Sequence, residues 1–201
     1  MIAATPLSDS IVKLRRLQEA NGSIRKTQLL REFQDDANFR NFLYYALNPM
    51  LTYKISEQTL RSPTRYDSAI TLTMTDIFSV CELLSKRKAL DAGTVYQVCA
   101  FVQSSPPDEA DVYIKLLSKT LRLGVTAKTV NKVIPNLIPE WEVQQAYPID
   151  KYPLKEGTEF WLTQKLNGVR ATYYKGRLYA RSGVPYEGLD HILDALCFDE
   201  E

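Results

Sequence analysis

Two arginines are brought together by the predicted folding of one short stretch of the sequence. Residues 164–183 read QKLNGVRATYYKGRLYARSG, with apolar residues alternating on both sides of a Lys-Gly pair. If residues 175–176 form a two-residue hairpin turn, counting outward from it places Arg170 directly opposite Arg181. The same register predicts an apolar face made of Ala171, Tyr173, Leu178 and Ala180.

Like charges that face each other across a hairpin repel, unless an anion lies between them. Two guanidinium groups can bind a phosphate through charge-assisted hydrogen bonds, so the pair Arg170 and Arg181 indicates either a phosphate site or two side chains that spread into water. Lys165 lies just before Asn167-Gly168, where a tight turn is expected. Nearby cations disfavour its ammonium form and leave more neutral amine, which can act as a nucleophile.

Residues 1–140 read as a helical domain. Ser8 or Ser10 is the predicted N-cap of the first helix, and Asn21-Gly22 its stop. Apolar residues recur at helical spacing in the segments that follow. Helices are predicted in SDSIVKLRRLQEANG, SIRKTQLLREFQ, DDANFRNFLYYALNP, TMTDIFSVCELLSKRKA, DAGTVYQVCAFVQSS and PPDEADVYIKLLSKTLRLG.

The pattern changes after residue 140. Pro148, Pro153 and Gly157, together with Pro139 just before them, indicate a linker over residues 141–157. Residues 158–201 then show the two-residue period of strands in EFWLTQKL, GVRATYY and RLYARS, followed by a short helix at GLDHILDAL. The predicted fold class is therefore α+β, with an all-α domain followed by a short, incomplete antiparallel β portion.

The composition favours a globular protein with no metal site. The 201 residues carry a net charge of +1, so only local charge clusters can indicate a partner. The three cysteines have no CxxC spacing, and His191 is the one histidine, which favours buried free thiols and a structural or exposed imidazole. No apolar run is long enough for a membrane span, so a cytoplasmic, soluble protein without membrane contact is expected.

The stretch KLNGVR resembles the K-x-D-G-x-R signature of the covalent nucleotidyltransferases, the superfamily of DNA ligases, RNA ligases and mRNA capping enzymes. The resemblance implies that Lys165 attacks the α-phosphate of ATP and forms a lysyl-AMP, with Mg²⁺ as metal cofactor. It further implies that Gly168 permits close backbone approach and that Arg170 and Arg181 contact nucleotide or nick phosphates. Asn167 stands where the family usually has Asp, which keeps an oxygen but loses a charge.

The segment LLSKTLRLGVTAKTVNKVIPNLIPEWEVQQAYPI is similar to the end of the helical DNA-binding domain of phage-type ATP-dependent DNA ligases, and YYALNPMLTYKI is similar to another part of it. Thr126 is a predicted N-cap next to Gly124, and free N–H groups at a helix start bind phosphate. Residues 112–139 contain cations and no acidic residue. These cations, which supply charge for nicked double-stranded DNA, are Lys115, Lys119, Arg122, Lys128 and Lys132.

The resemblance implies the N-terminal part of a DNA ligase that seals nicks through lysyl-AMP, with most of the adenylation domain supplied elsewhere. The chain alone is then expected not to complete ligation. An alternative is a non-catalytic duplex-binding fragment or subunit that needs a separately encoded C-terminal ligase portion. An RNA ligase or capping-type enzyme shares the lysine motif, but that hypothesis leaves the helical domain unexplained.

Overall fold

The structure, a computed structural model, divides into two compact units: unit 1 (Met1–Glu140) and unit 2 (Trp141–Glu201). It describes residues 7–62, 74, 76–87, 89–143, 147–151, 153, 155–161, 164 and 167–196. Two of the residues singled out above, Lys165 and Cys197, lie outside the described residues.

The described part of unit 1 is built from helices joined by short connections. These helices are α1 (Leu7–Glu19), α2 (Ser23–Phe33), α3 (Ala37–Leu47), α4 (Glu57–Arg61), α5 (Ile77–Lys86), α6 (Ala92–Ser104), α7 (Pro107–Leu117) and α8 (Ala127–Asn131). The short helix α4 was not predicted, because five residues are too few to show a helical period. None of the helices in the described residues is long and apolar enough to cross a membrane.

Side-chain caps explain where most of these helices begin. A side-chain oxygen of the residue before the helix accepts a hydrogen bond from a backbone N–H of the first turn, which that turn cannot satisfy internally. Such caps start α3, α4, α5, α6 and α8, and they are Asp36, Ser56, Asp76, Asp91 and Thr126. Helix α7 instead begins at Pro107 with two acidic residues in its first turn, which the helix dipole favours.

The predicted caps of α1 were wrong, because the helix already runs from Leu7 and includes Ser8 and Ser10. Ser10 is buried and donates its hydroxyl to both carboxylate oxygens of Asp36, at 3.0 and 2.9 Å. The same carboxylate accepts from Lys13 Nζ at 2.5 Å and from the Phe39 amide at 3.1 Å. Asp36 therefore joins α1 to the start of α3.

One continuous apolar core runs through unit 1. Helix α1 packs against α2, α3 and α7, while α4 packs against α6 and α7. Leu14 and Leu17 of α1 and Leu43 of α3 are fully buried, as are the aromatic residues Phe39 and Phe42. Cys81 and Cys99 are free and buried, as predicted. Because burial removes apolar surface from water, this core is the main source of stability in unit 1.

Unit 2 contains a two-stranded antiparallel sheet of β1 (Thr172–Tyr174) and β2 (Arg177–Tyr179), followed by α9 (Asp190–Ala195). The observed pairs are Thr172 with Tyr179, Tyr173 with Leu178, and Tyr174 with Arg177. This is the register counted outward from a Lys175-Gly176 turn, and both turn residues have positive φ. The predicted register is confirmed over these three pairs.

The predicted lengths of the strands were wrong. The ladder ends after Tyr179 because the chain reverses, with the Gly183 amide donating to Ala180 O at 2.9 Å. Tyr179 then forms an isolated bridge with Pro185, and the Tyr186 amide donates to Leu178 O at 2.8 Å. The described residues of the predicted strand EFWLTQKL are not in a strand. The α+β prediction is confirmed at the level of a mostly helical chain with a small antiparallel sheet.

Candidate phosphate and nucleic-acid sites

The first candidate site is the segment of residues 119–132 in unit 1, called here the basic segment. It starts where α7 ends, and Lys119 has the left-handed φ of 58°. Beyond that residue, buried Leu121 and Leu123 alternate with exposed Arg122 and Gly124. The alternation follows from an extended backbone, whose successive side chains point to opposite sides. Arg122 is therefore held at the surface by the burial of its two neighbours.

Thr126 is the N-cap of α8, as predicted, and its hydroxyl accepts from the Thr129 amide at 3.3 Å. Val130 is buried on one side of this five-residue helix, whereas Lys128 and Lys132 are exposed. Arg122, Lys128 and Lys132 are thus all exposed within the basic segment. Among the described residues, no hydrogen-bond partner engages the side chain of Arg122 or Lys132.

Three of the five predicted cations, Lys115, Lys119 and Lys128, interact with other residues of the protein. Lys115 Nζ forms an ion pair with Asp111 at 2.6 Å. Lys119 Nζ donates to three carbonyl oxygens at the end of α3, those of Tyr45 at 3.0 Å, Ala46 at 3.3 Å and Asn48 at 2.9 Å. Lys119 is exposed overall, but its ammonium lies at the C-terminal end of α3, where a cation is stabilised.

The Lys119 ammonium also lies 5.3 Å from the centroid of the Tyr53 ring. Burial disfavours the charged form and lowers the pKa of Lys119 to about 8. In the same region, burial raises the pKa of the Cys81 thiol to about 12, which makes it a poor nucleophile. This cluster therefore has a structural character, in contrast with the exposed cations that follow it in sequence.

Gly124 is exposed and has a φ of +66°, a conformation that residues with a side chain rarely adopt. A Cβ at this position would overlap Lys26 Nζ of helix α2. The ammonium of Lys26 donates to Leu17 O and Leu123 O, both at 2.9 Å. Sequence reasoning missed Lys26, because no local pattern indicates that a lysine on an amphipathic helix contacts a turn so far along the chain.

The second candidate site is a groove of unit 2 with a volume of about 650 Å³. Its lining includes three of the predicted site residues, Gly168, Arg170 and Arg181, together with Val169, Ala180, Ser182 and Tyr186. The two arginines line a common groove, although they are not the cross-strand pair that was predicted. Arg181 instead lies in the turn between Ala180 and Gly183.

Several contacts within unit 2 shape this groove. The Tyr186 hydroxyl donates to Arg170 O at 3.3 Å, which links the chain just before β1 to the chain after the hairpin. Guanidinium groups and a serine hydroxyl donate hydrogen bonds in a geometry that suits phosphate oxygens. The groove therefore has the donor chemistry expected of an anion site.

An aromatic cluster supports the hairpin. Trp141 packs on Tyr179 with ring centroids 4.7 Å apart and on Tyr174 at 6.0 Å. Aromatic rings therefore cover part of the hairpin face opposite the predicted apolar face. Gly183, with a φ of +86°, lies directly against the indole, where an added Cβ would be 2.8 Å from Trp141 Cγ.

The described residues contain no group of three or more His, Cys, Asp or Glu side chains that could hold a metal ion. Mg²⁺ prefers oxygen ligands, usually carboxylates and phosphates. The described part of the chain thus does not fit a Mg²⁺ site made of protein ligands.

No protein-family model matches the chain. Among known proteins, the DNA ligases of Enterobacteria phages T4 and T6 are each 27% identical to it over 135 residues. The match covers 62% of this chain and 28% of each ligase, so the chain spans well under half the length of these relatives.

A solved structure named Pmar-Lig_PreS3 has a similar fold, with a TM-score of 0.62 and 19% sequence identity. The alignment covers 92% of this chain and 44% of that one. The resemblance to phage DNA ligases that was inferred from short motifs is confirmed by the sequence matches.

Proposed function

We propose, from the similarity to the phage T4 and T6 DNA ligases, that this chain provides the DNA-binding helical domain and the first part of the adenylation domain of an ATP-dependent DNA ligase. The observation that carries the proposal is the match of 135 residues to those enzymes. In this proposal residues 1–140 bind duplex DNA, residues 141–157 are a linker, and residues 158–201 begin the nucleotidyltransferase domain.

The basic segment is the proposed contact with nicked double-stranded DNA. Duplex DNA presents regularly spaced phosphates, so nonspecific binding needs surface cations more than base-reading side chains. Arg122, Lys128 and Lys132 provide this charge at the surface of unit 1. Gly124 and Thr126 give the backbone its turn and start the short helix between the cations.

The groove of unit 2 is the proposed phosphate site for ATP or for the 5′-phosphate of a nick. Arg170 and Arg181 line it, with Gly168 leaving room for the ligand. Lys165, three residues before Gly168, is the proposed nucleophile that accepts AMP, on the strength of the KLNGVR motif. We assign no step to Mg²⁺, because the described residues do not fit its site.

The adenylation step is tested by the intact mass of the protein after incubation with ATP and Mg²⁺. We expect an AMP adduct that is lost in acid, since a phosphoramidate is acid-labile. Lys165→Ala should abolish the adduct, whereas Lys155→Ala, which changes an exposed lysine of the same unit, should keep it. An adduct that persists in Lys165→Ala would contradict the assignment of the nucleophile.

A second candidate is a non-catalytic duplex-binding subunit that acts with a separate C-terminal ligase portion. The chain matches only 28% of the length of the phage ligases, and its cationic segment lies in unit 1. This candidate predicts retardation of nicked DNA on a gel without an AMP adduct and without nick sealing. Complete sealing by the purified chain would contradict it.

A further inference from the structure

Lys26 makes unusual contacts for a lysine, because it lies three, four and seven positions before the buried Leu29, Leu30 and Phe33 and thus on the core-facing side of α2. It lies in the first turn of α2, and its ammonium is partly buried. One hydrogen bond goes to Leu17 O in the last turn of α1, and the other goes to Leu123 O in the basic segment, both at 2.9 Å. The lysine therefore connects the C-terminal end of α1 to residue 123.

This contact is favourable for a physical reason. The last carbonyl groups of a helix have no partner inside it and carry a partial negative charge, so a cation placed there is stabilised. Leu123 lies outside any helix or strand, and its carbonyl accepts the same ammonium. Replacing the lysine by an apolar side chain would leave two carbonyl groups without this donor, which is costly where water is excluded.

Gly124 fits closely over the same ammonium. A Cβ at this position would overlap Lys26 Nζ, so a side chain here would displace the ammonium from its two carbonyl partners. The residue before Leu123 is held as well, because Gln18 Nε2 donates to Arg122 O at 3.1 Å. Two side chains from α1 and α2 thus hold the backbone of residues 122–123 through its carbonyl groups.

The first residue of the basic segment, Lys119, is also held by hydrogen bonds to carbonyl groups. Lys119 Nζ binds three carbonyl oxygens at the end of α3. Lysines thus hold the basic segment at its first residue, Lys119, and at Leu123, in both cases through hydrogen bonds to backbone carbonyl groups. Between and beyond these two anchors, Arg122 and Lys128 are exposed.

We propose that Lys26 is a positioning residue, which holds the turn at residues 122–124 in the geometry in which the basic segment binds DNA phosphates. The inference rests on the proposed function of the basic segment in duplex binding. Lys26 acts through the backbone of Leu123 and contributes no phosphate contact of its own. A loosely held turn weakens each contact it makes, because the ligand must then also order the turn.

The test compares Lys26→Met with Arg31→Met in binding to nicked duplex DNA, measured by fluorescence anisotropy over a range of salt. Arg31 is an exposed cation on the same helix, so both variants lose one charge. We expect Lys26→Met to bind about tenfold more weakly with an unchanged salt slope, because the number of phosphate contacts is kept. Arg31→Met should differ little from the unmodified protein.

Lys128→Ala is included to test the proposed function separately. Loss of a phosphate contact should lower the salt slope by about one unit. If Lys128→Ala weakens binding in this way while Lys26→Met does not weaken it, the inference is overturned and the proposed function stands. If the unmodified chain does not bind DNA at all, the proposed function fails, and the inference fails with it.

A readout without DNA is the hydrogen exchange of the backbone amides of residues 123–125. Lys26→Met should accelerate exchange there by about tenfold while amides in the core of α6 keep their protection. Equal acceleration throughout unit 1 would mean only a loss of global stability and would count against the inference. Gly124→Ala disturbs the same contact from the turn, and it provides the test should Lys26→Met fail to fold.

Discussion

The two units of this chain bury very different amounts of apolar surface. Unit 1 has a continuous apolar core to which α1–α8 contribute. Among the described residues of unit 2, Leu178 is the one buried hydrophobic residue. Most of the large exposed hydrophobic residues belong to unit 2. They are Tyr147, Ile149, Phe160, Trp161, Val169, Tyr173, Tyr174, Ile192 and Leu196.

The comparison shows two ways of holding a segment in place. In unit 1, polar anchors such as the buried Asp36 and the ammonium of Lys119 act beside a core that already stabilises the helices. In unit 2, the described hairpin depends on its turns and on the packing of Trp141 against two tyrosines. A unit of about 60 residues buries a smaller fraction of its surface than a larger one, so local turn chemistry matters more there.

The largest effect expected within unit 1 comes from Asp36→Ala. The Asp36 side chain is 3% exposed, and its removal leaves Lys13, Ser10 and the first turn of α3 without their acceptor. We expect a loss of about 3 kcal/mol in the free energy of unfolding, because a buried charge loses its partner and a helix loses its cap. Urea unfolding followed by circular dichroism measures this loss.

The matched control for that prediction is Asp35→Ala, which removes the adjacent, exposed carboxylate. Surface substitutions of this kind usually change stability by less than about 0.5 kcal/mol. Equal effects of the two variants would show that the anchor between α1 and α3 contributes no more than a surface charge. The difference in how unit 1 and unit 2 are stabilised would then depend on apolar burial alone.

In unit 2, Gly183→Ala should destabilise the hairpin more than Gly176→Ala does. Both glycines have positive φ, which costs about 1 kcal/mol or more for alanine, but only Gly183 also lies against Trp141. We expect about 2 kcal/mol for Gly183→Ala and about 1 kcal/mol for Gly176→Ala.

This difference can be measured by urea titration of Trp141 fluorescence in a Trp161→Phe background. Trp161 is 95% exposed and would otherwise contribute a separate signal. Equal destabilisation by the two alanines would indicate that the contact between Gly183 and the indole has no energetic role. The turn conformation would then be the main constraint on the hairpin.

The smallest expected effect is a loss of stability of unit 1 in acid. Burial by itself raises the pKa of Asp36, but hydrogen bonds from Lys13, the Phe39 amide and Ser10 together outweigh it and bring the pKa below 3.8. Hydrogen bonds from the Thr94 hydroxyl and amide lower the pKa of the cap Asp91 to about 2. A carboxylate whose pKa is lower in the folded state stabilises the fold above the unfolded pKa.

The stabilising contribution of these carboxylates is therefore lost as the pH falls from about 4 through their folded pKa values. The measurement is the free energy of unfolding between pH 6 and pH 2. Asp36→Asn keeps the shape of the side chain but cannot be ionised, so it should show a shallower decrease. An identical decrease in Asp36→Asn would exclude a contribution of Asp36 to the acid response.

Local sequence patterns predicted much of unit 1 and part of unit 2. Thr126 as a cap and the hairpin register around Lys175-Gly176 depend on neighbouring residues, and both are observed. The strand lengths were overestimated, because the reversal at Gly183 depends on hydrogen bonds to Ala180 and on packing against Trp141. Likewise Ser10 looked like a helix cap, yet its partner Asp36 is far along the chain.

The sequence by itself determined the helical character of unit 1, the turn of the hairpin and the cationic composition of the basic segment. Each of these depends on residue type and spacing over a few positions. Only the tertiary structure decided which cations bind backbone carbonyl groups, since the partners of Lys119 and one partner of Lys26 are remote in sequence. It also decided that Arg170 and Arg181 line a common groove without facing each other across the hairpin, because the chain reverses between Ala180 and Gly183.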